Sequence, residues 1–389
     1  MVVVDRKFLS HGSLQREICV VVGTRPGIIM MAPLIHELKR KDVPHFVIHT
    51  GQHYSPAMDT ELFEDLGLPQ PAYHITDVHK KPTHGGQTAV MLEGCETAMI
   101  ERKPRLVLVN GDANTNLAGA LAARKLRLGV GHIEAGERSF DWRMPEEHNR
   151  RIVDHISDLL FTTNEKGAKH LRDENVVGDI HVTGNTIVDA SVNHGILANS
   201  KSDISVRLGV EANGYILITS HREENVDDRD KLRNIIEGAA KTADAFAIPV
   251  LFPAHPRTLR RITEFNLHDM VKQARGLRLL EALRYLDFMQ LLLHARLVLT
   301  DSGGVQQEAY IHRKSCVTLR DNTEWTETVE LGANRLSGTD SSDMILARAK
   351  EAVECCNVYW PPIFGDGKAA ERIVDLAVRY LDVSMSSQA

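Results

Sequence analysis

Two stretches of this 389-residue chain join an apolar strand to a glycine-containing turn and a helix start, an arrangement that offers bare backbone N–H groups to an anion. In Leu299-Thr300-Asp301-Ser302-Gly303-Gly304-Val305-Gln306-Gln307-Glu308 a strand over 296–300 breaks into the Ser302-Gly303-Gly304 turn. A helix N-terminus carries partial positive charge, and two glycines let a phosphate approach the main chain with no Cβ in the way. Glu308, a turn and a half into the helix, is placed to accept hydrogen bonds from a ribose. A capped helix start that binds nothing explains this stretch equally well. Near the other end, Ile18-Cys19-Val20-Val21-Val22 stops at Gly23-Thr24-Arg25-Pro26-Gly27 before a helix over 28–39. Arg25 suits a diphosphate, because guanidinium pairs bidentately with phosphate oxygens. An ordinary turn with a solvated arginine accounts for one such loop; two in separate halves weigh toward anion binding.

The elements that must position these loops are short apolar strands alternating with longer helical patterns. Strands are expected at 18–22, 46–49, 106–110, 130–134, 159–162, 180–183, 215–219, 250–252, 297–300 and 316–319. Their runs are apolar on both faces, as in parallel sheets covered by helices. The expected fold is therefore α/β with two Rossmann-like domains. We expect an N-terminal extension over 1–16, a first domain over 17–187, a second over 188–365, and a final helix in 366–389 packing back on the first domain. Ligands of such sheets bind at the carboxyl ends of the strands. There lie Asp112 after strand 106–110, Glu134 at the end of 130–134, Glu146 behind a helix-starting proline at 145, and His221 after 215–219. A carboxylate in a first helical turn is common as a dipole partner, so Glu146 alone says little. Acids at the ends of two neighbouring strands, Asp112 and Glu134, point to acid/base work.

A net charge of -6, from 46 basic and 52 acidic residues, argues against a nucleic-acid surface and leaves a small molecule as the expected partner. The five cysteines show no paired metal spacing and suggest a reducing compartment. With Asp5 and Arg6 interrupting a short apolar start, and no segment of membrane-spanning length, a cytoplasmic protein without a membrane partner is expected.

Taken in order, Gly23-Thr24-Arg25-Pro26, Thr50-Gly51-Gln52-His53, Gly111-Asp112, Gly131-His132-Ile133-Glu134-Ala135-Gly136, Pro145-Glu146-Glu147-His148-Asn149-Arg150, Thr183-Gly184-Asn185-Thr186, His221-Arg222, Asp301-Ser302-Gly303-Gly304 and Arg320-Asp321-Asn322-Thr323-Glu324 resemble the non-hydrolysing UDP-N-acetylglucosamine 2-epimerases. The resemblance implies a GT-B-like pair of domains with the active site in the cleft between them, and a UDP-sugar substrate inverted at C2 through elimination and return of UDP. It implies Asp112, Glu134, Glu146 and His221 around the reacting sugar. Arg25 and the Ser302-Gly303-Gly304 turn match diphosphate contacts, Arg222 a substrate or UDP contact, Phe288 the uracil pocket and Glu308 the ribose ligand. It implies no metal, no nicotinamide and no other cofactor, and, from the habit of the family, a homodimer. Which carboxylate serves which face of C2 stays open.

The chain also departs from the family pattern. Gly27 and Met30 stand where many members have Glu and Lys, and Ala113 where Thr is usual. Trp325 replaces an arginine of many bacterial members, and Thr-Glu-Trp is similar to a branch acting on UDP-diacetamido uronic acids. Gln52, His53 and His255 match positions near an allosteric site of bacterial relatives, although Tyr54-Ser55-Pro56 breaks the usual continuation. The rival functions are a hydrolysing 2-epimerase releasing free N-acetylmannosamine, a UDP-sugar glycosyltransferase, and a non-catalytic UDP-sugar sensor. The intact carboxylate motifs favour the non-hydrolysing reaction.

Overall fold

A computed structural model describes residues 2–4, 16–52, 56–355 and 358–386. Residues 1 and 5–15 of the expected N-terminal extension, together with His53, Tyr54, Ser55 and Cys356, lie outside the described residues. The chain divides into two compact units, the first made of 1–190 and 364–389 and the second of 191–363.

The first unit carries β1 (Val2–Val4), β2 (Ile18–Val22), β3 (His45–His49), β4 (Tyr73–Ile75), β5 (Leu106–Asn110), β6 (Gly129–Ala135), β7 (Leu159–Thr162) and β8 (Asp179–Val182). They form one eight-stranded sheet in the order β1-β4-β3-β2-β5-β6-β7-β8. All pairings are parallel except that β1 runs antiparallel to β4, so the start of the extension adds an edge strand. Central β2 has no polar side chain and four β-branched ones, and every residue in it is at most 2% exposed. Such a run is satisfied only where helices cover both faces of its sheet. The helices His84–Arg102 and Asn114–Lys125 bury Met91, Cys95, Ala98, Ala118 and Ala122 against Val21, Ile48, Val107 and Val109. Each such side chain the size of Val or Met stabilises the unit by about 1.5–3 kcal/mol relative to exposure. The final helix, Ala369–Ser386, belongs to this unit, and the carboxylate of Asp189 accepts its Ala369 and Ala370 N–H groups at 3.2 and 3.0 Å.

In the second unit β9 (Ile216–Thr219), β10 (Val250–Pro253), β11 (Leu277–Leu280), β12 (Leu297–Thr300), β13 (Cys316–Thr318) and β14 (Asn334–Leu336) make a wholly parallel six-stranded sheet. Its order is β11-β10-β9-β12-β13-β14. Ile216, Ile218, Phe252, Leu297 and Leu299 pack there with Leu232, Ile235 and Ile236 of the helix Arg229–Phe246.

Apart from edge strand β1, both sheets grow outward in sequence from a central pair, β2/β5 in the first and β9/β12 in the second. The order reverses at those pairs. Helices leaving neighbouring strands there go to opposite faces and open a crevice at the strand carboxyl ends, which is where ligands of such sheets bind.

Candidate functional site

At the β2/β5 crevice the chain leaves β2 through Gly23, where a Cβ would stand 1.9 Å from the Thr50 hydroxyl and 2.4 Å from that of Thr115. Those hydroxyls bond each other at 2.7 Å, so only glycine fits between the loops. Thr24 caps the helix Arg25–Arg40 by accepting the Gly27 N–H at 3.2 Å, which sets half-buried Arg25 in its first turn. Among the described residues Arg25 has no side-chain partner. Gln52 does have one: its side-chain oxygen accepts the backbone N–H of Thr115 at 2.8 Å and so starts the helix Asn114–Lys125.

Across the crevice, Gly111 and Asp112 follow β5. Asp112 is ion-paired to Arg150 at 2.5 Å, and its carbonyl accepts from Asn149 at 2.8 Å. Both partners come from the helix Pro145–Ile156. On β6, Glu134 takes a left-handed backbone, φ 64°, at an irregularity where the register with β7 slips between Ile133 and Ala135. The bulge re-aims one side chain out of the alternation, as bulges beside functional sites do. The half-buried Glu134 carboxylate has the Asn185 amide 3.5 Å from Oε1, and Oε2 lies 3.1 Å from where a Gly111 Cβ would be. Burial, then the carboxylates of Glu137 and Asp112, push Glu134 up to about 8, against the pull of Arg150 and Asn185. The protonated form therefore persists through neutrality.

Of the adjacent acids Glu146 and Glu147, the structure separates the roles. Glu147 is fully buried and accepts the Ser139 N–H, the Ser139 hydroxyl and the Arg151 guanidinium, which anchors the loop following β6. Glu146 is half-buried and has no side-chain partner among the described residues. Beneath these loops His132 donates from Nε2 to the Gly111 carbonyl at 3.0 Å, while its Nδ1 lies 2.7 Å from the Asp154 carboxylate. Asp154 is also paired with Arg138 at 2.7 Å, so the ends of β5 and β6 are tied by a buried network.

At the β9/β12 crevice of the second unit, Ser302 caps the helix Gly303–Ile311, accepting from Val305 N–H at 3.4 Å. The Gly303 and Gly304 N–H groups have no acceptor among the described residues. Neither glycine has a positive φ, and a Cβ at Gly304 would meet nothing within 4 Å. Internal packing does not call for glycine there, so the clear space in front of the turn suits an approaching anion. The Trp325 indole donates to the Gly303 carbonyl at 2.9 Å. Arg222 lies half-buried 3.7 Å from Glu324, which Arg320 grips at 2.8 and 3.1 Å. His221 is exposed, with Nδ1 3.3 Å from Asp301. Phe288 stands half-buried on the helix Tyr285–His294, and Glu308 is buried under the hydroxyl of Tyr285.

Asp301 is a residue that sequence reasoning passed over. It is fully buried and accepts from the Ser220 hydroxyl, the backbone N–H groups of His221 and Arg222, and the Asn225 amide. Burial pushes its carboxyl up, but the His221, Ser220 and Asn225 contacts outweigh that and hold it low. Arg150, Glu137 and Asn185 were likewise not singled out. Arg150 falls four residues after Glu146 on one helix face, a spacing readable from sequence; the proximity of the others depends on tertiary folding. Among the described residues no group of three or more His, Cys, Asp or Glu side chains has the arrangement of a metal site, and no helix is long and apolar enough to cross a membrane.

Residues 36–377 match the family model described as UDP-N-acetylglucosamine 2-epimerase. The Methanocaldococcus jannaschii UDP-N-acetylglucosamine 2-epimerase is 44% identical over 361 residues, covering 92% of this chain and 98% of that one. A Pseudomonas aeruginosa UDP-2,3-diacetamido-2,3-dideoxy-D-glucuronate 2-epimerase is 38% identical over 363 residues, covering 92% and 98%. The crystal structure of the M. jannaschii protein in complex with UDP-GlcNAc and UDP superposes with a TM-score of 0.81 at 43% identity, covering 92% of this chain and 99% of that one. With the motifs in order along both units and the match spanning most of the chain, this protein belongs to the UDP-N-acetylglucosamine 2-epimerase family of isomerases.

Proposed function

We propose that the chain inverts C2 of a UDP-N-acetylhexosamine, interconverting UDP-N-acetylglucosamine and UDP-N-acetylmannosamine without hydrolysis. The C2 proton is scarcely acidic and leaves only as the C1–O bond to UDP breaks. A base takes that proton, its electron pair becomes the C1=C2 bond, and the C1–O pair departs on the β-phosphate oxygen. The products of this half-reaction are a 2-acetamidoglucal and UDP. Return of the same oxygen to C1, with a proton delivered to C2 from the opposite face, completes the inversion.

The observation that carries this reading is the pair of acids at adjacent strand ends in opposite surroundings. Asp112 faces the Arg150 guanidinium, whereas Glu134 faces other carboxylates and keeps its proton near pH 7. Two acids in different surroundings suit one base and one acid. In this scheme Asp112 removes a proton and Glu134 supplies one, with Glu146 and His221 beside the reacting sugar. Arg25, Arg222 and the Ser302-Gly303-Gly304 turn hold the diphosphate and stabilise its departure by preorganised positive charge. Phe288 takes the uracil and Glu308 the ribose. A cytoplasmic homodimer completes the proposal; the buried free thiols of Cys19, Cys95 and Cys316 fit a reducing compartment.

Incubation with UDP-N-acetylglucosamine in heavy water tests the reaction type. We expect UDP-sugars deuterated at C2. Free sugar would identify a hydrolase, and no exchange would remove the epimerase reading. The 38%-identical P. aeruginosa relative makes a UDP-diacetamido uronic acid the rival substrate, and faster exchange with that nucleotide would reassign the sugar.

A further inference from the structure

Glu308 is 6% exposed, in the helix Gly303–Ile311. Tyr285 donates its hydroxyl to Glu308 Oε1 at 3.0 Å. That same hydroxyl meets Nδ1 of His194 at 3.3 Å, with the two rings edge-on at 5.5 Å. All three side chains are buried, and among the described residues Oε2 of Glu308 has no hydrogen bond. The Tyr285 phenol both donates to a carboxylate and takes a hydrogen bond from an imidazole N–H, so each hydrogen bond strengthens the other.

We propose that Tyr285 is a positioning residue for the nucleotide: it occupies Oε1 of Glu308 and so fixes the carboxyl with Oε2 turned to take the ribose hydroxyls. This rests on the UDP-sugar reading above. Phe288, the expected uracil contact, stands on the same helix as Tyr285, so one helix serves base and ribose together. Burial pushes the Glu308 carboxyl up to about 7, and Tyr285 is the titratable side chain that faces it and pulls the other way. A carboxylate accepts ribose hydroxyls better than a neutral carboxyl does, because the ionised acceptor makes charge-assisted hydrogen bonds. Nucleotide affinity should then rise as pH climbs through about 7. Losing the phenol should displace that rise to higher pH.

The test titrates UDP and 2′,3′-dideoxy-UDP calorimetrically into wild type, Tyr285→Phe and Glu308→Gln between pH 5.5 and 9. Both nucleotides share a diphosphate, so its own ionisation cancels in the ratio of affinities. For wild type the ratio should climb through neutrality. For Tyr285→Phe, UDP affinity at pH 7 should fall about tenfold, as for loss of a hydrogen bond to a charged group, and recover at pH 9. Dideoxy-UDP should bind Tyr285→Phe as it binds wild type, and Glu308→Gln should flatten the ratio. An equal loss for both nucleotides at every pH would reduce Tyr285 to packing, and an unshifted profile in Tyr285→Phe would also overturn the proposal. Failure of wild type to bind UDP at all is a separate result, which would remove the nucleotide reading itself and this proposal with it.

Discussion

Asp112 and Asp301 stand at the same topological address in the two units, just past the strand that flanks the reversal of sheet order, yet they do different work. Asp301 is fully buried and has donors from Ser220, His221, Arg222 and Asn225. It holds the turn after β9 in shape, next to the Ser302-Gly303-Gly304 turn whose glycine N–H groups have no acceptor among the described residues. The Asp112 side chain is 36% exposed and faces one guanidinium, with the carboxylates of Glu134 and Glu137 beside it. Sheet topology says where a ligand arrives. Burial and the count of donors are what separate the two acids, and on the proposed function they separate scaffold from reagent.

The widest gap between the two should appear in turnover. Asp112→Asn or Glu134→Gln is expected to lower kcat by roughly 10²–10⁴-fold, the usual contribution of an acid/base group, with folding retained because amide and carboxylate are nearly isosteric. Wild-type turnover in a folded variant would strip that residue of its role. Arg25 is the cation on the acidic side of the comparison, and Arg25→Ala should weaken UDP binding by roughly 1.5–3 kcal/mol, the worth of a charge-assisted hydrogen bond. Calorimetry with UDP checks this; an unchanged affinity means that the guanidinium serves another group. Stability should separate the two aspartates directly. Asp301→Asn turns an amide NH₂ against backbone donors and should cost about 1–3 kcal/mol in denaturant unfolding, whereas Asp112→Asn should stay within about 0.5 kcal/mol. Equal losses would erase the distinction drawn above.

The smallest effect concerns pH. Glu134, raised from its ordinary 4.5 to about 8, keeps a proton in the folded chain that the unfolded chain has lost, so stability falls as pH rises between those values. Glu134→Gln should make that decline in melting temperature shallower. Parallel curves for variant and wild type would mean that the carboxyl is not so perturbed.

Much of the scaffold was legible because strands such as Ile18–Val22 are apolar on every residue, and Leu106–Asn110 on all but its last, so that they can only be buried. The strands that escaped notice are short or mixed: Val2-Val3-Val4 has only three residues, and Tyr73-His74-Ile75, Leu277-Arg278-Leu279-Leu280 and Asn334-Arg335-Leu336 carry polar or charged residues and take their strand conformation from the neighbour they pair with. Residues at strand ends, Asp112, Glu134 and His221 among them, could be placed by the carboxyl-end rule alone. Tyr285 and Asn185 could not, since their partners lie 23 and 51 residues away in sequence and meet them only after the sheets form; Asp301 follows a strand end too, but its donors, such as the His221 N–H 80 residues away, were not legible. Periodicity alone did not separate Glu146 from Glu147, and only the resemblance picked Glu146; helix orientation buries Glu147 and spares Glu146.

The first unit is interrupted in sequence, with the helix Ala369–Ser386 returning to it after the whole of 191–363. During synthesis the second unit therefore leaves the ribosome complete while the first still lacks an element. Until Ala369 and Ala370 emerge, the buried carboxylate of Asp189 has no helix start to cap. Vectorial synthesis would thus let the second unit fold first, and the first unit would be completed only at the end of translation, so that chains truncated before 369 should retain a folded second unit and an open, protease-sensitive first one.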